Sequence, residues 1–87
     1  MTIQQQIEDR LQDAFRPQEL KVENESEHHR GHAGWDGSGE SHFRIVLCSE
    51  RFNGLTRVQR HRLVYQALSP EPMNHIHALQ MELTGTR

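Results

Sequence analysis

Histidine is the residue type in this sequence whose spacing most directly suggests chemistry. His28, His29 and His32 lie close together in a glycine-rich stretch, and His77 lies much later, at the start of a run in which apolar residues alternate with others. Neutral imidazole is a common ligand of borderline metals. A loop histidine that reaches His77 would give two ligands, which is an incomplete set unless a second molecule supplies the rest.

The same histidines have a plainer interpretation. Loop histidines are often only solvated, and His77 shares the phase of Leu79, Met81 and Leu83, so it would pack at the edge of the core. The sequence contains no HExxH or other helical zinc motif, and a catalytic metal is therefore not expected. Spacing alone leaves both a ligand role and a packing role open for His77.

Three arginines form a second group that could bind a ligand. Arg57, Arg60 and Arg62 surround His61 in a segment with helical spacing, and such side chains could contact the phosphates of a nucleic acid. At 100° per residue, however, the three arginines point in different directions. The same pattern is also expected of a helix with a purely structural role, in which His61 is buried and Arg60 and Arg62 lie on the flanks of the apolar face.

Few residues indicate catalysis. Cys48 is the single cysteine, which excludes an internal disulfide and a zinc site built on cysteines. It is out of phase with the apolar residues of its segment, and no histidine or aspartate stands at a spacing that identifies a base. Asp36 and Glu40 do not form a recognisable acid–base pair. We therefore expect a binding protein and not an enzyme, with Cys48 as a packed or partly exposed thiol.

Periodicity predicts the elements that hold these residues. Apolar residues at helical spacing predict a first helix from about Thr2 to Phe15, and a capping box of Thr56 and Gln59 begins a second long helix. Alternation of apolar and polar residues predicts three strands. In chain order the predicted elements are a helix at about 2–15, strands near 20–23 and 43–48, a short helical turn near 49–53, a helix at about 57–68 and a strand at about 75–84.

The helical phase also predicts which side of the second long helix is buried. At 100° per residue one face contains His61 near its centre, and its apolar members are Val58, Val64, Tyr65 and Leu68. We expect this face to pack on the sheet.

The composition limits the size and class of the protein. Eighty-seven residues, of which 33% are hydrophobic, support one domain over residues 1–87 with a thin core. The stretch of about 27–41 has no periodicity, and we expect it to be a long flexible loop between two antiparallel strands. The formal net charge of −2 argues against a general affinity for nucleic acid. Since no apolar run is long enough to span a membrane, we expect a cytoplasmic protein that is a monomer, or at most a weak homodimer, on its own.

A series of short motifs resembles the BolA family. Each motif is short, but chance does not explain their shared order over about residues 3–84. The motifs are Asn24-Glu25-Ser26, His29-Arg30-Gly31-His32-Ala33-Gly34, Glu40-Ser41-His42-Phe43, Ser49-x-x-Phe52-x-Gly54, Arg60-His61-Arg62-Leu63-Val64-Tyr65 and Ile76-His77-Ala78-Leu79.

The resemblance implies a fold and a partner. It implies an α+β fold in the order α-β-β-α-α-β, similar to class II KH domains, with a three-stranded mixed sheet and the helices packed on one face. It also implies a monothiol glutaredoxin as the partner. In such heterodimers a [2Fe-2S] cluster is bound between the glutaredoxin, its glutathione and side chains of the BolA-like chain, which binds no cluster alone.

The resemblance also assigns the ligands of that cluster. The strand histidine of the family corresponds to His77. The loop ligand corresponds best to His29, and His32 is the alternative because this stretch has the family's H-x-G-H pattern. These assignments come from the motifs and not from the spacing of the histidines.

The same family includes members described as DNA-binding transcriptional regulators, and this implies an alternative function. The nucleic acid would contact the helix that carries Arg57, Arg60 and Arg62. The GxxG loop by which KH domains bind nucleic acid is incomplete, because Gly54-Leu55-Thr56-Arg57 lacks the second glycine. This difference argues against DNA binding by the usual KH route.

Overall fold

The computed structural model describes residues 2–25 and 42–86 of the chain. The predicted loop of about 27–41, with the candidate ligands His29 and His32, lies outside these residues. The helices are α1 (Ile3–Phe15) and α2 (Arg57–Leu68), and the strands are β1 (Glu19–Asn24), β2 (His42–Cys48) and β3 (Ala78–Thr84). Two short 3-10 helices lie at Glu50–Phe52 and Met73–His75.

Both long helices begin with a reciprocal capping box. The predicted box at α2 is confirmed, since Thr56 Oγ1 accepts the Gln59 amide at 3.1 Å and Gln59 Oε1 accepts the Thr56 amide at 2.9 Å. Thr2 and Gln5 form the same pair at α1, with distances of 3.1 and 3.2 Å. Each cap satisfies amides that the first helical turn leaves without partners, and is worth about 1 kcal/mol.

The three strands form one mixed sheet with β2 in the centre. β1 pairs with β2 in antiparallel fashion, whereas β3 pairs with β2 in parallel fashion through the crossover that contains α2. With Glu50–Phe52 counted as a short helix, the element order is α-β-β-α-α-β. The predicted fold class, a three-stranded mixed sheet with helices on one face, is confirmed.

The core lies between the helices and one face of the sheet. Alternation along β2 points every second side chain into it, and those of α1 enter at helical spacing. The rings of Phe15 and Phe52 contact each other with centroids 4.9 Å apart, which joins the end of α1 to the first 3-10 helix. The buried hydrophobic residues are Ile7, Leu11, Phe15, Val22, Phe43, Ile45, Leu47, Phe52, Val64 and Leu68.

The predicted buried face of α2 is wrong in part. Val64 and Leu68 are buried, but the side chains of Val58 and Tyr65 are 59% and 42% exposed. The contact face is centred near Val64, and at 100° per residue Val58 and Tyr65 lie roughly 120° and 100° away from it. His61 lies at the margin and is half-buried. The predicted apolar arc was wider than the arc that touches the sheet.

Candidate functional site

His77 is exposed at one end of the sheet, immediately before β3 begins. The prediction that the last strand starts near His75 and carries His77 in phase with the core is wrong. Residues 73–75 form a 3-10 helix in which the Ile76 amide donates to the Met73 carbonyl at 3.1 Å. The chain therefore becomes a strand only at Ala78, where pairing with β2 starts.

The imidazole of His77 stacks on that of His42. The ring centroids are 5.6 Å apart and the ring planes differ by 11°. His42 is the first residue of β2 and pairs with Ala78, the neighbour of His77, so the register of the two parallel strands brings the two histidines to the same end of the sheet. In contrast to His77, His42 is only 8% exposed.

Sequence reasoning assigned no role to His42, although the residue belongs to one of the family motifs. One signal could have found it. Strands on either side of a helical crossover pair in parallel fashion, so their first residues meet at the same end of the sheet. His42 begins β2 and His77 immediately precedes β3, so the topology places the two residues at the same end of the sheet.

Glu25 and His42, the described residues that flank the segment 26–41, lie at this same end of the sheet. The Glu25 amide donates to the His42 carbonyl at 2.7 Å, so the residues that flank the segment are direct neighbours. His77 lies about two strand spacings, roughly 10 Å, from Glu25. His29 follows Glu25 by four residues, which span at most about 14 Å when extended. The covalent length of the chain is therefore sufficient to join His29 to His77.

The part of the chain that the structure describes supplies few metal ligands. Within residues 2–25 and 42–86, no group of three or more histidine, cysteine, aspartate or glutamate side chains comes together. An imidazole binds a metal through a lone pair in the plane of its ring, and stacked rings do not direct their lone pairs at one point. His77 thus fits the role of one exposed nitrogen ligand in a site that other groups complete.

The three candidate arginines do not form one surface. Arg57 and Arg62 are exposed, whereas Arg60 is half-buried and its Nη1 donates to the Leu83 carbonyl at 3.0 Å. Arg57 and Arg60 line a groove between α2 and β3, and Arg57 also lines a second groove with Arg62 and Tyr65, which Arg60 does not reach. This placement agrees with the different directions predicted from helical phase.

Cys48 lies at the opposite end of β2 from His42. The thiol is half-buried and Sγ lies 3.5 Å from the Gly85 carbonyl, within the range of a weak hydrogen bond. The predicted packed or partly exposed thiol is confirmed. Its place in the sheet separates it from the histidine pair.

A separate observation concerns membranes. Across the described residues, neither α1 nor α2 has the length and apolar character that a membrane-spanning helix requires.

Comparison with known proteins gives a consistent result. A family model for BolA-like protein matches residues 11–87. The chain is 49% identical over 85 residues to the DNA-binding transcriptional regulator BolA of Vibrio cholerae, which covers 98% of this chain and 76% of that protein. It is 45% identical over 76 residues to human BolA-like protein 1, covering 87% of this chain and 53% of the human protein.

Solved structures show the same fold. BolA1 from Arabidopsis thaliana superposes with a TM-score of 0.80 at 37% identity, covering 94% of this chain and 89% of that one. BolA1 from Mus musculus gives a TM-score of 0.79 at 40% identity, with coverage of 97% and 65%. The family match and these similarities extend over nearly the whole chain. They show that the protein belongs to the BolA family, a family of non-enzymatic regulators and adaptors with a class II KH-like fold.

Proposed function

We propose that this chain is an adaptor that binds a monothiol glutaredoxin and supplies His77 as a ligand to a [2Fe-2S] cluster shared by the two proteins. The exposed imidazole of His77, at the end of the sheet that also holds Glu25 and His42, is the observation that carries the proposal. His29 is the second ligand from this chain, with His32 as the alternative. Thiolates of the glutaredoxin and its glutathione complete the site.

The chemistry of the ligands supports a shared site. Bound in this way, the cluster would supply one-electron transfer or transferable iron and sulfur. Neutral imidazoles in place of two thiolates leave less negative charge around the iron, which raises the reduction potential. Imidazole must lose its proton to bind iron, so acid weakens the contribution of this chain. Since the chain supplies only part of the ligand set, assembly depends on both proteins.

The proposal is tested by mixing the chain with a cluster-loaded monothiol glutaredoxin and recording visible absorption and circular dichroism. The wild-type complex is expected to give a spectrum distinct from that of the glutaredoxin homodimer. His77→Ala should abolish that difference. His75→Ala is the matched control, because His75 is also exposed and its imidazole lies 3.8 Å from the Glu71 carboxylate, away from the stacked rings.

Two outcomes decide between the assignments. If His77→Ala leaves the spectrum of the mixture unchanged, His77 is not a ligand. If His77→Ala does change the spectrum, separate His29→Ala and His32→Ala variants identify the second ligand, because only the variant that removes a ligand should change the spectrum in the same way.

DNA binding is the second candidate function. It is favoured by the names of relatives such as the DNA-binding transcriptional regulators BolA of Vibrio cholerae and Escherichia coli, the latter 42% identical over 81 residues. Arg57 and Arg62 are exposed and form no ion pair with other residues of the described chain, so they could contact phosphates. Arg60 is already engaged with the Leu83 carbonyl, and we expect a smaller contribution from it.

A further inference from the structure

We propose that His42 is a positioning residue for His77, and that its ring fixes the plane in which His77 presents its ligating nitrogen. The inference rests on the proposed ligand role of His77. It is carried by the stacked geometry of the two rings, with centroids 5.6 Å apart and planes 11° from parallel.

His42 has the rigidity that a positioning residue needs. Its backbone is held on both sides, because it pairs with Ala78 of β3 and its carbonyl accepts the Glu25 amide at 2.7 Å. Its side chain is 8% exposed, and the next residue, Phe43, is buried in the core. The orientation of the His42 ring is therefore fixed by the fold itself.

His77 lacks that support from its own segment. It follows a 3-10 helix, precedes the first paired residue of β3 and is exposed to solvent. A histidine side chain has two rotatable torsions, and in an exposed position several rotamers are accessible. Contact with a fixed ring along one face restricts both torsions at once. The entropy of ordering the ligand is thus lost when the chain folds and not when it binds iron.

The geometry also distinguishes positioning from direct ligation. A metal ion bound by both imidazoles would have to lie in both ring planes. Stacked rings whose planes differ by only 11° do not provide such a point beside both of them. His42 acts through the face of His77 and leaves the edge of that ring, which carries its two nitrogens, for ligation.

Two substitutions distinguish the contribution of the aromatic face of His42 from that of its ring nitrogens. His42→Phe keeps an aromatic face and removes the nitrogens, whereas His42→Leu keeps apolar volume and removes the aromatic face. The first readout is the proton NMR spectrum of the chain alone. Ring-current shifts of the His77 ring protons should persist in His42→Phe and disappear in His42→Leu. Thermal unfolding of both variants establishes that each is folded.

The second readout is the stability of the shared cluster on a monothiol glutaredoxin, followed by visible circular dichroism during dilution. His42→Leu should weaken the complex by roughly 3- to 10-fold, the range that one aromatic contact contributes. His42→Phe should remain within about 2-fold of the wild type, since it retains that contact. His75→Ala, which changes a nearby exposed imidazole outside the stack, should match the wild type.

The outcomes separate this inference from the proposed function. An altered spectrum in His77→Ala together with wild-type complex stability in His42→Leu overturns the positioning role alone. Equal weakening in His42→Phe and His42→Leu also overturns it, because His42 would then act through its nitrogens and not its ring face. An unchanged spectrum in His77→Ala overturns the proposed function and this inference with it.

Discussion

Ser49 shows how one buried polar side chain can join two elements. It is fully buried, its Oγ donates to the Phe15 carbonyl at 2.8 Å, and the same atom accepts the Arg51 amide at 3.2 Å. The first bond satisfies a carbonyl at the end of α1, and the second begins the 3-10 helix that carries Phe52. Two residues of the Ser49-x-x-Phe52 motif therefore have structural roles in the core.

We predict that Ser49→Ala lowers the free energy of unfolding by about 1–3 kcal/mol, because it leaves the buried Phe15 carbonyl without this donor. Ser69→Ala is the matched control. Ser69 Oγ donates to the Tyr65 carbonyl at 2.6 Å on the surface, where water can replace it, and its loss should cost about 0.5 kcal/mol or less. Urea unfolding of both variants measures the difference, and equal losses would contradict the role of Ser49.

The environment of individual residues was the feature least completely predicted from the sequence. His77 was identified from its type and motif, but its stacking partner was not, because the contact between His42 and His77 joins positions that only the sheet register brings together. The exposure of His77 was missed for a related reason. Alternation extended the predicted strand backward through His77, whereas pairing starts at Ala78.

At the scale of elements, both outer strands have a carbonyl covered by a side chain from a helix. The Thr84 carbonyl accepts the Ser49 amide on the side of β3 that faces β2. Because successive carbonyls of a strand point in opposite directions, the Leu83 carbonyl points to the outer edge, where Arg60 Nη1 donates to it at 3.0 Å. At the opposite edge of the sheet, Gln4 Nε2 donates to the Val22 carbonyl of β1 at 3.0 Å. Covered edge groups are poor templates for strand addition by a second chain.

We predict that Arg60→Ala lowers the free energy of unfolding by about 1–3 kcal/mol and increases self-association, since it uncovers the edge of β3. Arg62→Ala removes the same charge from an exposed position on the same helix and serves as the control. Chemical unfolding measures stability, and sedimentation velocity at increasing concentration measures association. If the two variants behave alike, the contact with the Leu83 carbonyl has no protective role.

Apart from the start of β3, element boundaries were predicted well because local signals set them. The capping box fixes the start of α2, and the strands follow from alternation that needs no long-range information. The rotation of α2 was not predicted correctly. Hydrophobicity alone treats Val58 and Tyr65 as core residues, while the long stem of Arg60 can lie against the sheet and occupy the position that an apolar side chain would take.

At the scale of the whole molecule, the charge distribution limits how DNA could be bound. The formal net charge of −2 provides no general attraction for a polyanion, and any binding must come from local cationic side chains. The sequence predicted this electrostatic limit because net charge is a sum over residues, and it predicted the fold class through the order of the elements and the family motifs. It did not predict which arginines would be available.

We predict that any affinity for DNA falls with salt, and that Arg57→Ala and Arg62→Ala each reduce the slope of log K against log[salt] by about 1. Each variant would remove one contact to a phosphate. Arg10→Ala, an equal charge change on the exposed side of α1, should leave the slope unchanged. Titration by fluorescence anisotropy at several ionic strengths gives the slopes. Equal slopes in all four proteins would exclude α2 as the DNA-binding surface.

The placement of Cys48 has a practical consequence. Six strand steps separate the two ends of β2, so the thiol is about 20 Å from the histidine pair. Because the sequence has a single cysteine, a maleimide dye would mark one defined position. If the proposed cluster binds at His77, a fluorophore at that distance would be close enough for energy transfer to it and too remote to obstruct it, so the labelled chain would report cluster binding and release optically.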